Sequence, residues 1–462
     1  MDLRDPVHNF IHLTDEERKL LDTPPLQRLR GVRQLAMANL VYPGALHTRF
    51  DHTLGVMHVA GLMAKQLKIS EENIRLLRLA ALLHDVGHGP FSHVSEAALE
   101  LYADRAMIST IKKKEKIHEL VTAQIIRGNP EISQLIGKDS CENVIKLLND
   151  GYGEPALKSI ISGPLDADKQ DYLLRDGRFC GVQYGVFDIH QLHRSLVLKG
   201  EYDERQLMIS GDGIHAAEQY VLAKYYMTTN VYRHRVRLIT DQMIVRAIKL
   251  GYEQDKIGKL RKLFKFDDSE KFLKNYLLWD DARFMVKFCA ESPKTACGRM
   301  LGALRSRQLH KCVFHAKIKD FSKSARESIA GLSKPDAKGL RNQLESALAK
   351  IISAHKKFRE GFNAGDLIVH SFAIKSVRES SRNDEAGIMV DKAPGPVPFE
   401  QESTLFRSIS EKMNEAYCEV YAPIKWDTAT ERKKVCLGIQ RGIFDCINDN
   451  CGTEKAEKGA KK

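Results

Sequence analysis

The 462-residue sequence lacks any apolar run of about 18 residues, the length that a membrane-spanning helix or an anchored leader needs. Its first residues, Met-Asp-Leu-Arg-Asp, are charged. We therefore expect neither a secretory signal nor a membrane span, and a cytoplasmic location. Its nine cysteines are scattered without a CxxC pair, which argues against both a disulfide framework and a thiolate zinc site. The sequence shows no internal repeat.

Hydrophobic residues make up 43% of the chain, enough to bury a large core, so the composition predicts one large helical domain with a second lobe. The formal net charge is +12 and the isoelectric point is about 9.1. Such a balance favours anionic partners in general: nucleotides, nucleic acid or an acidic surface. Charge alone does not choose between these partners.

The chain is organised around residues 80–93, where an apolar helix runs into His84 and Asp85 and then breaks. Ser70 followed by acidic residues predicts the start of this helix, and apolar residues at helical spacing continue as far as His84. Glycines and Pro90 end it. A neutral imidazole beside a carboxylate is a common pair of nitrogen and oxygen ligands for a divalent metal.

Histidines are concentrated around this break. Unpaired buried polar groups cost roughly 1–3 kcal/mol each, so a histidine cluster predicts a compensating partner such as a metal or a bound anion. Seven of the 17 histidines fall in one segment: His47, His52, His58, His84, His88, His93 and His118.

Two pairs of residues spaced three apart extend this chemistry. Arg49 and His52 can share a helix face, which would hold phosphate beside a metal ligand. His93 and Glu96 can likewise meet on one face, forming a base with an orienting acid. Further along, residues 163–172 place several ionisable side chains at a helix start, where the carboxylates at positions 168 and 171 are expected to diverge.

The sequence also predicts a few strands. Residues 196–198 and 207–209 are apolar runs on either side of a polar turn, which predicts a strand pair. Residues 367–376 and 387–390 predict two more strands, separated by a polar loop.

Four motifs follow one another along the chain: Arg49-Phe-Asp-His52, His84-Asp85-x-x-His88-Gly-Pro-Phe-Ser-His93, His118-Glu119 and Asp166-x-Asp168-Lys169-x-Asp171-Tyr172. In this order, and over roughly residues 5–240, the sequence resembles the HD-domain deoxynucleoside triphosphate triphosphohydrolases. That family includes the vertebrate SAM-and-HD-domain enzyme and its bacterial relatives.

The resemblance implies a mainly α fold, in which an HD-domain helical core of residues 1–250 holds the metal and the nucleotide. A smaller α+β C-terminal lobe would follow over residues 251–450, mostly helical with a short strand pair and a role in oligomerisation. The basic segment 451–462 is expected to be a disordered tail.

By the same resemblance, each site residue acquires an expected role. The expected metal ligands are His52, His84, Asp85 and Asp168. The expected catalytic group around the α-phosphate is His88, His93, Glu96 and His118. The expected substrate-binding residues are Gln34, Leu35, Arg49, Lys169, Tyr172, Asp176, Lys224 and Tyr232, of which Tyr232 would close the sugar pocket against a 2′-hydroxyl.

The implied reaction is attack of water on the α-phosphorus of a dNTP, releasing a deoxynucleoside and inorganic triphosphate. The metal could be Mn, Fe, Ni, Zn or Mg, since two imidazoles and two carboxylates do not single one out, and additional Mg would accompany the nucleotide phosphates. Two alternatives stay open. One is an HD hydrolase acting on ribonucleoside triphosphates or another phosphoester, and the other is a nucleic-acid-binding protein with a vestigial HD site.

Regulation by a nucleotide is also implied. Asp22, Gln27 and Arg30 resemble residues with which nucleotide-activated members bind an effector between subunits, so a homo-oligomer, dimer or tetramer, with an activating nucleotide is expected. The sequence departs from the vertebrate pattern at two positions. Glu96 stands where that pattern has an Asp, and Lys224 stands where it has an Arg. The lysine keeps the positive charge but loses the two parallel hydrogen bonds that a guanidinium can donate. Nucleotide-activated members carry a basic residue just before an Asp-Pro-x-His segment, and in this sequence that position is Met1. The regulatory SAM domain of those enzymes is not recognised in the sequence.

Overall fold

The structure, a computed structural model, describes residues 1–104, 116–149, 151–267, 269–290, 294–332, 337–355, 364–374, 387–410, 415–426 and 428–459. It is mainly helical with small sheets, which confirms the predicted fold class. Two compact units are present: Met1–Arg237 with Lys259–Val286 and Ser376–Glu411, and Leu238–Gly258 with Lys287–Lys375 and Lys412–Lys462. Within the described ranges, no helix combines the length and apolarity that crossing a membrane requires.

The helices and strands of the described residues follow in chain order. The α-helices are α1 (Asp15–Leu21), α2 (Pro24–Arg28), α3 (Arg49–Gln66), α4 (Glu71–Leu83), α5 (His93–Tyr102), α6 (Ile117–Gly128), α7 (Pro130–Ile136), α8 (Lys138–Asn149), α9 (Pro155–Ile161), α10 (Ala167–Cys180), α11 (Ile189–Arg194), α12 (Ile214–Tyr226), α13 (Arg235–Lys249), α14 (Gly258–Phe264), α15 (Glu270–Tyr276), α16 (Asp281–Met285), α17 (Ala296–Arg305), α18 (Lys323–Gly331), α19 (Lys338–Ser353), α20 (Phe399–Glu402), α21 (Thr404–Ser410) and α22 (Ala429–Gly459). The strands are β1 (Asp2–Asp5), β2 (Asn9–His12), β3 (Leu196–Lys199), β4 (Gln206–Ser210), β5 (Lys311–Lys317), β6 (Ile368–Ile374), β7 (Met389–Asp391), β8 (Val397–Pro398) and β9 (Glu415–Ala422).

Helices α3 and α4 form the centre of the first unit. The backbone N–H of Thr48 donates to Asp51 Oδ2 at 2.8 Å, which fixes the start of α3. Ser70 caps α4 as predicted, and α4 ends at His84, its C-terminal cap. Both helices bury most of their apolar residues, including Met57, Ala60, Leu77 and Leu79. Because α3 begins and α4 ends at polar residues, both helices carry their functional side chains at a terminus.

Two further elements bring polar side chains to the same unit. Asp166 caps α10 by accepting from the backbone N–H of Lys169 at 2.8 Å, and Gly181, with φ of 70°, ends that helix. A π-helical segment, Met227–Tyr232, follows α12 and ends at Tyr232. Segments of this kind often occur at functional sites.

The first unit contains two small sheets. Strands β1 and β2 form an N-terminal hairpin, with residues 2 and 12 paired at its open end. Strands β3 and β4 pair antiparallel, as predicted from residues 196–198 and 207–209. Strand β7 pairs parallel with β4, and β8 completes that sheet. The two strands predicted at residues 367–376 and 387–390 therefore exist as β6 and β7 but lie in different sheets.

The second unit is a three-stranded antiparallel sheet, in the order β5-β9-β6, covered on one face by helices. Alternate residues of β9, Cys418, Val420 and Ala422, are buried against α18, α19 and α22. Helix α22 continues to Gly459. Much of the segment predicted as a disordered tail, 451–462, therefore continues this helix, and residues 460–462 lie outside the described residues.

Candidate active site

Four side chains point toward one centre: one from α3, two from the turn that follows α4 and one from α10. His52 Nε2 lies 3.0 Å from Asp168 Oδ1 and 3.8 Å from Asp85 Oδ2. His84 Nε2 lies 3.3 Å from Asp85 Oδ1 and 3.9 Å from Asp168 Oδ1. The ligand atoms of His52, His84 and Asp85 all lie within 4.8 Å of one another. The four residues predicted to hold the metal are thus adjacent in space.

The opposite nitrogens of the two imidazoles are already engaged. His52 Nδ1 donates to Asp171 Oδ2 at 2.8 Å, and His84 Nδ1 donates to the carbonyl oxygen of Ala81 at 2.7 Å. Each bond fixes a ring so that Nε2 faces the centre, which is the arrangement of histidine ligands in metal sites. His84 Nε2 is buried and has no hydrogen-bond partner among the described residues. This donor set fits a divalent metal ion.

The electrostatics of the cluster point the same way. Burial lowers the pKa of His52, but hydrogen bonds to Asp168 and Asp171 raise it to about 10 overall. A proton shared by His52 and Asp168 therefore balances the carboxylate charge. A divalent cation would replace that proton. Metal affinity at such a site is coupled to release of that proton.

Arg49 lies against this cluster. Its Nη1 forms a buried ion pair with Asp85, and its Nε donates to Ser92 Oγ at 2.8 Å. Its Nη2 is buried and has no hydrogen-bond partner within the described ranges. Phe91 and Ser92 both have positive φ values, 62° and 56°, so the backbone that presents Ser92 is strained. A hydrogen bond supports this conformation: the backbone N–H of Phe91 donates to Asp281 Oδ1 at 2.7 Å. The loop thus holds one side of the guanidinium and leaves the other side for an anion.

A second cluster is centred on Glu96. Its Oε1 lies 2.7 Å from His93 Nδ1, 2.9 Å from His118 Nδ1 and 3.3 Å from His88 Nδ1. The contact predicted between His93 and Glu96 is therefore confirmed. Burial raises the pKa of Glu96, but the charges of His118 and His93 lower it well below its usual range, so the carboxylate stays ionised.

His88 links the two clusters. Its Nε2 lies 3.2 Å from Asp85 Oδ1, while its Nδ1 faces Glu96. The rings of His88 and His118 stack with centroids 4.0 Å apart. The metal-type cluster, Arg49 and the Glu96 cluster therefore surround Asp85 as one continuous polar site.

A third group is centred on Tyr232, the residue predicted to close the sugar pocket. The Tyr232 hydroxyl donates to Asp176 Oδ2 at 2.7 Å, and His47 Nε2 lies 2.7 Å from Asp176 Oδ1. The rings of Tyr172 and Tyr232 meet edge to face at 5.9 Å. Gln34 donates its backbone N–H to the carbonyl oxygen of His47 at 3.1 Å. Sequence reasoning missed His47, although it belongs to the noted histidine cluster.

Gln34 and Leu35 are both buried. The side-chain oxygen of Gln34 has no hydrogen-bond partner among the residues that the structure describes. A buried amide oxygen without a partner costs free energy, so a ligand that donates to it would be stabilised.

Two further residues of the predicted substrate-binding set are lysines. Lys169 Nζ forms an ion pair with Asp166, the residue that caps its own helix, and donates to the carbonyl oxygen of Gly163 at 3.0 Å. Lys224 is buried within α12. Both lysines lie in the first unit.

Two of the three residues expected at an activating nucleotide, Gln27 and Arg30, contact each other. Gln27 Nε2 donates to the carbonyl oxygen of Leu21 at 2.9 Å, and Arg30 Nε donates to Gln27 Oε1 at 2.9 Å. The Arg30 guanidinium also lies 3.5 Å from the ring centroid of Phe50, a cation–π contact. Asp22 is exposed at the end of α1.

One expectation about the acidic segment was wrong. The carboxylates of Asp168 and Asp171 do not diverge: they contact opposite nitrogens of His52, at 3.0 and 2.8 Å. Residues three apart on a helix are neighbours, and the imidazole lies between their side chains. Asp171 is thereby a direct contact of His52 that the sequence did not reveal.

Comparison with known proteins agrees with this geometry. The HD domain model matches residues 49–175, which contain all four metal-type side chains, and the model of the HD associated region matches residues 187–344. An uncharacterized protein of Methanocaldococcus jannaschii is 34% identical over 267 residues, covering 58% of this chain and 53% of its own length. The chain spans about half the length of this archaeal relative and of a Bacillus subtilis one.

More distant relatives cover more of the chain. The deoxynucleoside triphosphate triphosphohydrolase SAMHD1 of Homo sapiens is 26% identical over 478 residues, covering 97% of this chain and 74% of its own length. The crystal structure of a phosphohydrolase from Bacteroides thetaiotaomicron has a TM-score of 0.69 at 22% identity, covering 91% of this chain and 99% of that one, which shows a shared fold. The chain thus carries an HD domain followed by an HD associated region.

Proposed function

We propose that this chain is a metal-dependent triphosphohydrolase that converts a dNTP into a deoxynucleoside and inorganic triphosphate. The observation that carries the proposal is the set of contacts around Asp85. On one side it meets the two imidazoles of the metal-type cluster, and on the other it meets Arg49 and His88. A divalent-cation site next to a guanidinium and a group of imidazoles suits hydrolysis of a phosphate ester.

Each group has a defined part in the reaction. A bound divalent cation polarises a phosphoryl oxygen and lowers the pKa of a bound water. Arg49 would bind an α-phosphate oxygen through Nη2, the nitrogen that lacks a partner among the described residues. His93, held by Glu96 at Nδ1, would take a proton from the attacking water at Nε2 and pass it to the departing 5′ oxygen. One phosphorus–oxygen bond forms, and the bond to the 5′ oxygen breaks.

The preference for deoxyribose rests on the third group of residues. A hydroxyl already engaged with Asp176 fixes the ring of Tyr232, and the Tyr172 ring lies against it. A fixed aromatic edge is a steric barrier to a 2′-hydroxyl. The human relative, whose name specifies deoxynucleoside triphosphates, supports the same substrate class.

The test is chromatographic analysis of products from the purified chain with Mn²⁺ or Mg²⁺. dATP, dGTP, dCTP, dTTP and ATP are offered separately and as a mixture, with Asp168→Ala as the inactive control. Deoxynucleoside plus tripolyphosphate, absent from the control, is the expected result. Turnover that requires the mixture would support an activating nucleotide bound through Gln27 and Arg30.

Other outcomes would point elsewhere. Turnover of ATP alone would move the assignment to a ribonucleotide triphosphohydrolase. Absence of hydrolysis with every metal, combined with salt-sensitive binding of single-stranded nucleic acid, would contradict the proposal and favour a binding protein.

A further inference from the structure

Asp171 lies behind the metal-type cluster and accepts hydrogen bonds from three residues. His52 Nδ1 donates to its Oδ2 at 2.8 Å, and His8 Nε2 donates to its Oδ1 at 2.7 Å. Arg175 donates to both oxygens, from Nε and Nη2, at 2.9 Å each. The Asp171 side chain is completely buried. Its position is thus set by residues from three separate stretches of the chain.

His8 is held in place by the turn of the N-terminal hairpin. Asp5 Oδ1 accepts from the backbone N–H groups of Val7 and His8, both at 2.8 Å, and the backbone N–H of Phe10 donates to the carbonyl oxygen of His8 at 2.8 Å. Asp5 Oδ2 accepts from Arg175 Nη1 at 2.8 Å. The hairpin turn therefore contacts the Asp171 group twice, once through its histidine and once through its aspartate.

The residues around Asp171 are buried and closely packed. Arg175 is fully buried and Asp5 is nearly so. Gly55 on α3 faces them, and a Cβ at that position would lie 1.8 Å from Asp171 Oδ1. Two carboxylates share one guanidinium here, so one negative charge remains to attract the Nδ1 proton of His52. Such a carboxylate orients a ligand histidine and raises its basicity.

We propose that the hairpin turn is part of the metal-binding apparatus, in which His8 and Asp5 are positioning residues. They fix Asp171 so that it holds the His52 ring with Nε2 toward the metal. The inference rests on the metal site of the proposed function, and it adds the N-terminal hairpin as a determinant of metal retention. Loss of the His8 imidazole removes one donor from Asp171, and the metal affinity is then expected to fall about tenfold.

The experiment measures Co²⁺ affinity by competition with a chelator and records the visible spectrum of the Co²⁺-loaded full chain. His8→Ala is compared with His8→Gln, whose amide N–H can reach the place of Nε2. His12→Ala is the matched control, because His12 is on the same hairpin, pairs with Asp2 and is 74% exposed. We expect weaker binding and an altered spectrum in His8→Ala, partial recovery in His8→Gln, and no change in His12→Ala.

Thermal denaturation of the metal-free variants separates positioning from simple unfolding. Weaker binding in a variant that melts like the wild type supports the proposal, whereas wild-type affinity and spectrum in folded His8→Ala would overturn it. If His8→Ala does not fold, the same comparison is made with Asp5→Asn. Because the readout is metal binding, a chain that binds Co²⁺ but hydrolyses no dNTP contradicts the proposed function alone.

Discussion

The Tyr232 hydroxyl donates to Asp176 at 2.7 Å, although the two residues belong to different helical segments. Asp176 is buried and also meets His47, so its carboxylate is held from two sides. The bond keeps the tyrosine ring in one orientation beside the ring of Tyr172, in the group that the proposed function assigns to the sugar. The preference for deoxyribose over ribose should therefore depend on the Tyr232 hydroxyl, even though the partner of that hydroxyl is a protein side chain.

Tyr232→Phe should weaken discrimination between deoxyribose and ribose. The ring remains, but without its bond to Asp176 it can move aside for a 2′-hydroxyl, and we expect the ratio of kcat/KM for dATP over ATP to fall about tenfold. Steady-state kinetics on both nucleotides measure this ratio. Tyr226→Phe, at an exposed tyrosine, is the control. An unchanged ratio in Tyr232→Phe would show that the ring does not select the sugar.

Glu96→Gln should slow the chemical step without releasing metal. An amide cannot stabilise a positive His93, so we expect kcat to fall by about 10²- to 10⁴-fold with unchanged metal content. Glu96→Asp, which restores the residue of the vertebrate enzyme, should recover part of that loss. Single-turnover kinetics and metal analysis test both variants, with Glu100→Gln, exposed on the same helix, as the control. Loss of metal in Glu96→Gln would instead place Glu96 among the ligands.

Asp168→Ala should abolish tight metal binding. The substitution removes one of the two carboxylates of the site and leaves Asp85 with two imidazoles, so we expect metal content after dialysis to fall to a small fraction of the wild-type value. Elemental analysis reads this out directly. Asp15→Ala removes an aspartate that is 93% exposed and should retain wild-type content. Equal content in both variants would remove Asp168 from the ligand set.

Glu17→Gln should destabilise the fold in a pH-dependent way. Arg78 Nε and Nη2 bind the two oxygens of buried Glu17 at 2.6 and 2.8 Å. Burial raises the pKa of Glu17, but the hydrogen bond and charge of Arg78 lower it below the usual 4.5 overall. The folded state therefore binds fewer protons, and the pair contributes stability above about pH 4.5 that is lost as the pH falls.

Urea denaturation at several pH values tests this. At pH 7 the loss in the free energy of unfolding should be about 3 kcal/mol, since an uncompensated guanidinium remains partly buried, and the difference from wild type should shrink below about pH 4. Glu142→Gln breaks a similar two-bond pair with Arg127 that is exposed on the surface, and it should cost under about 1 kcal/mol. A pH-independent loss in Glu17→Gln would contradict the assigned role of charge.

Local signals in the sequence were sufficient for much of the site. Ser70, the apolar periodicity of α4 and the glycines after His84 determine where that helix begins and ends. His93 and Glu96 are three residues apart, so their contact follows from helix geometry alone. Such contacts are predictable because both partners lie on one element.

Contacts between distant residues could not be predicted in this way. Asp171 and His52 are 119 residues apart, and His47 and Asp176 are 129 apart, so only the fold brings each pair together. Lys169, which is expected to bind phosphate, also pairs with Asp166, the cap of its own helix. Strand β9 was missed because its inward positions are small residues, which give a weak alternation of apolar and polar side chains.

Strand β7 gives the first unit a long-range dependence that matters for making fragments. Residues 389–391 pair parallel with β4, about 180 positions earlier in the chain. A fragment that stops after the HD associated region at residue 344 would leave the β4 edge with unpaired backbone groups. An exposed edge strand can pair with the same strand of another molecule, so we expect truncated forms to aggregate. Expression of the site by itself therefore calls for grafting residues 387–410 onto the shortened chain.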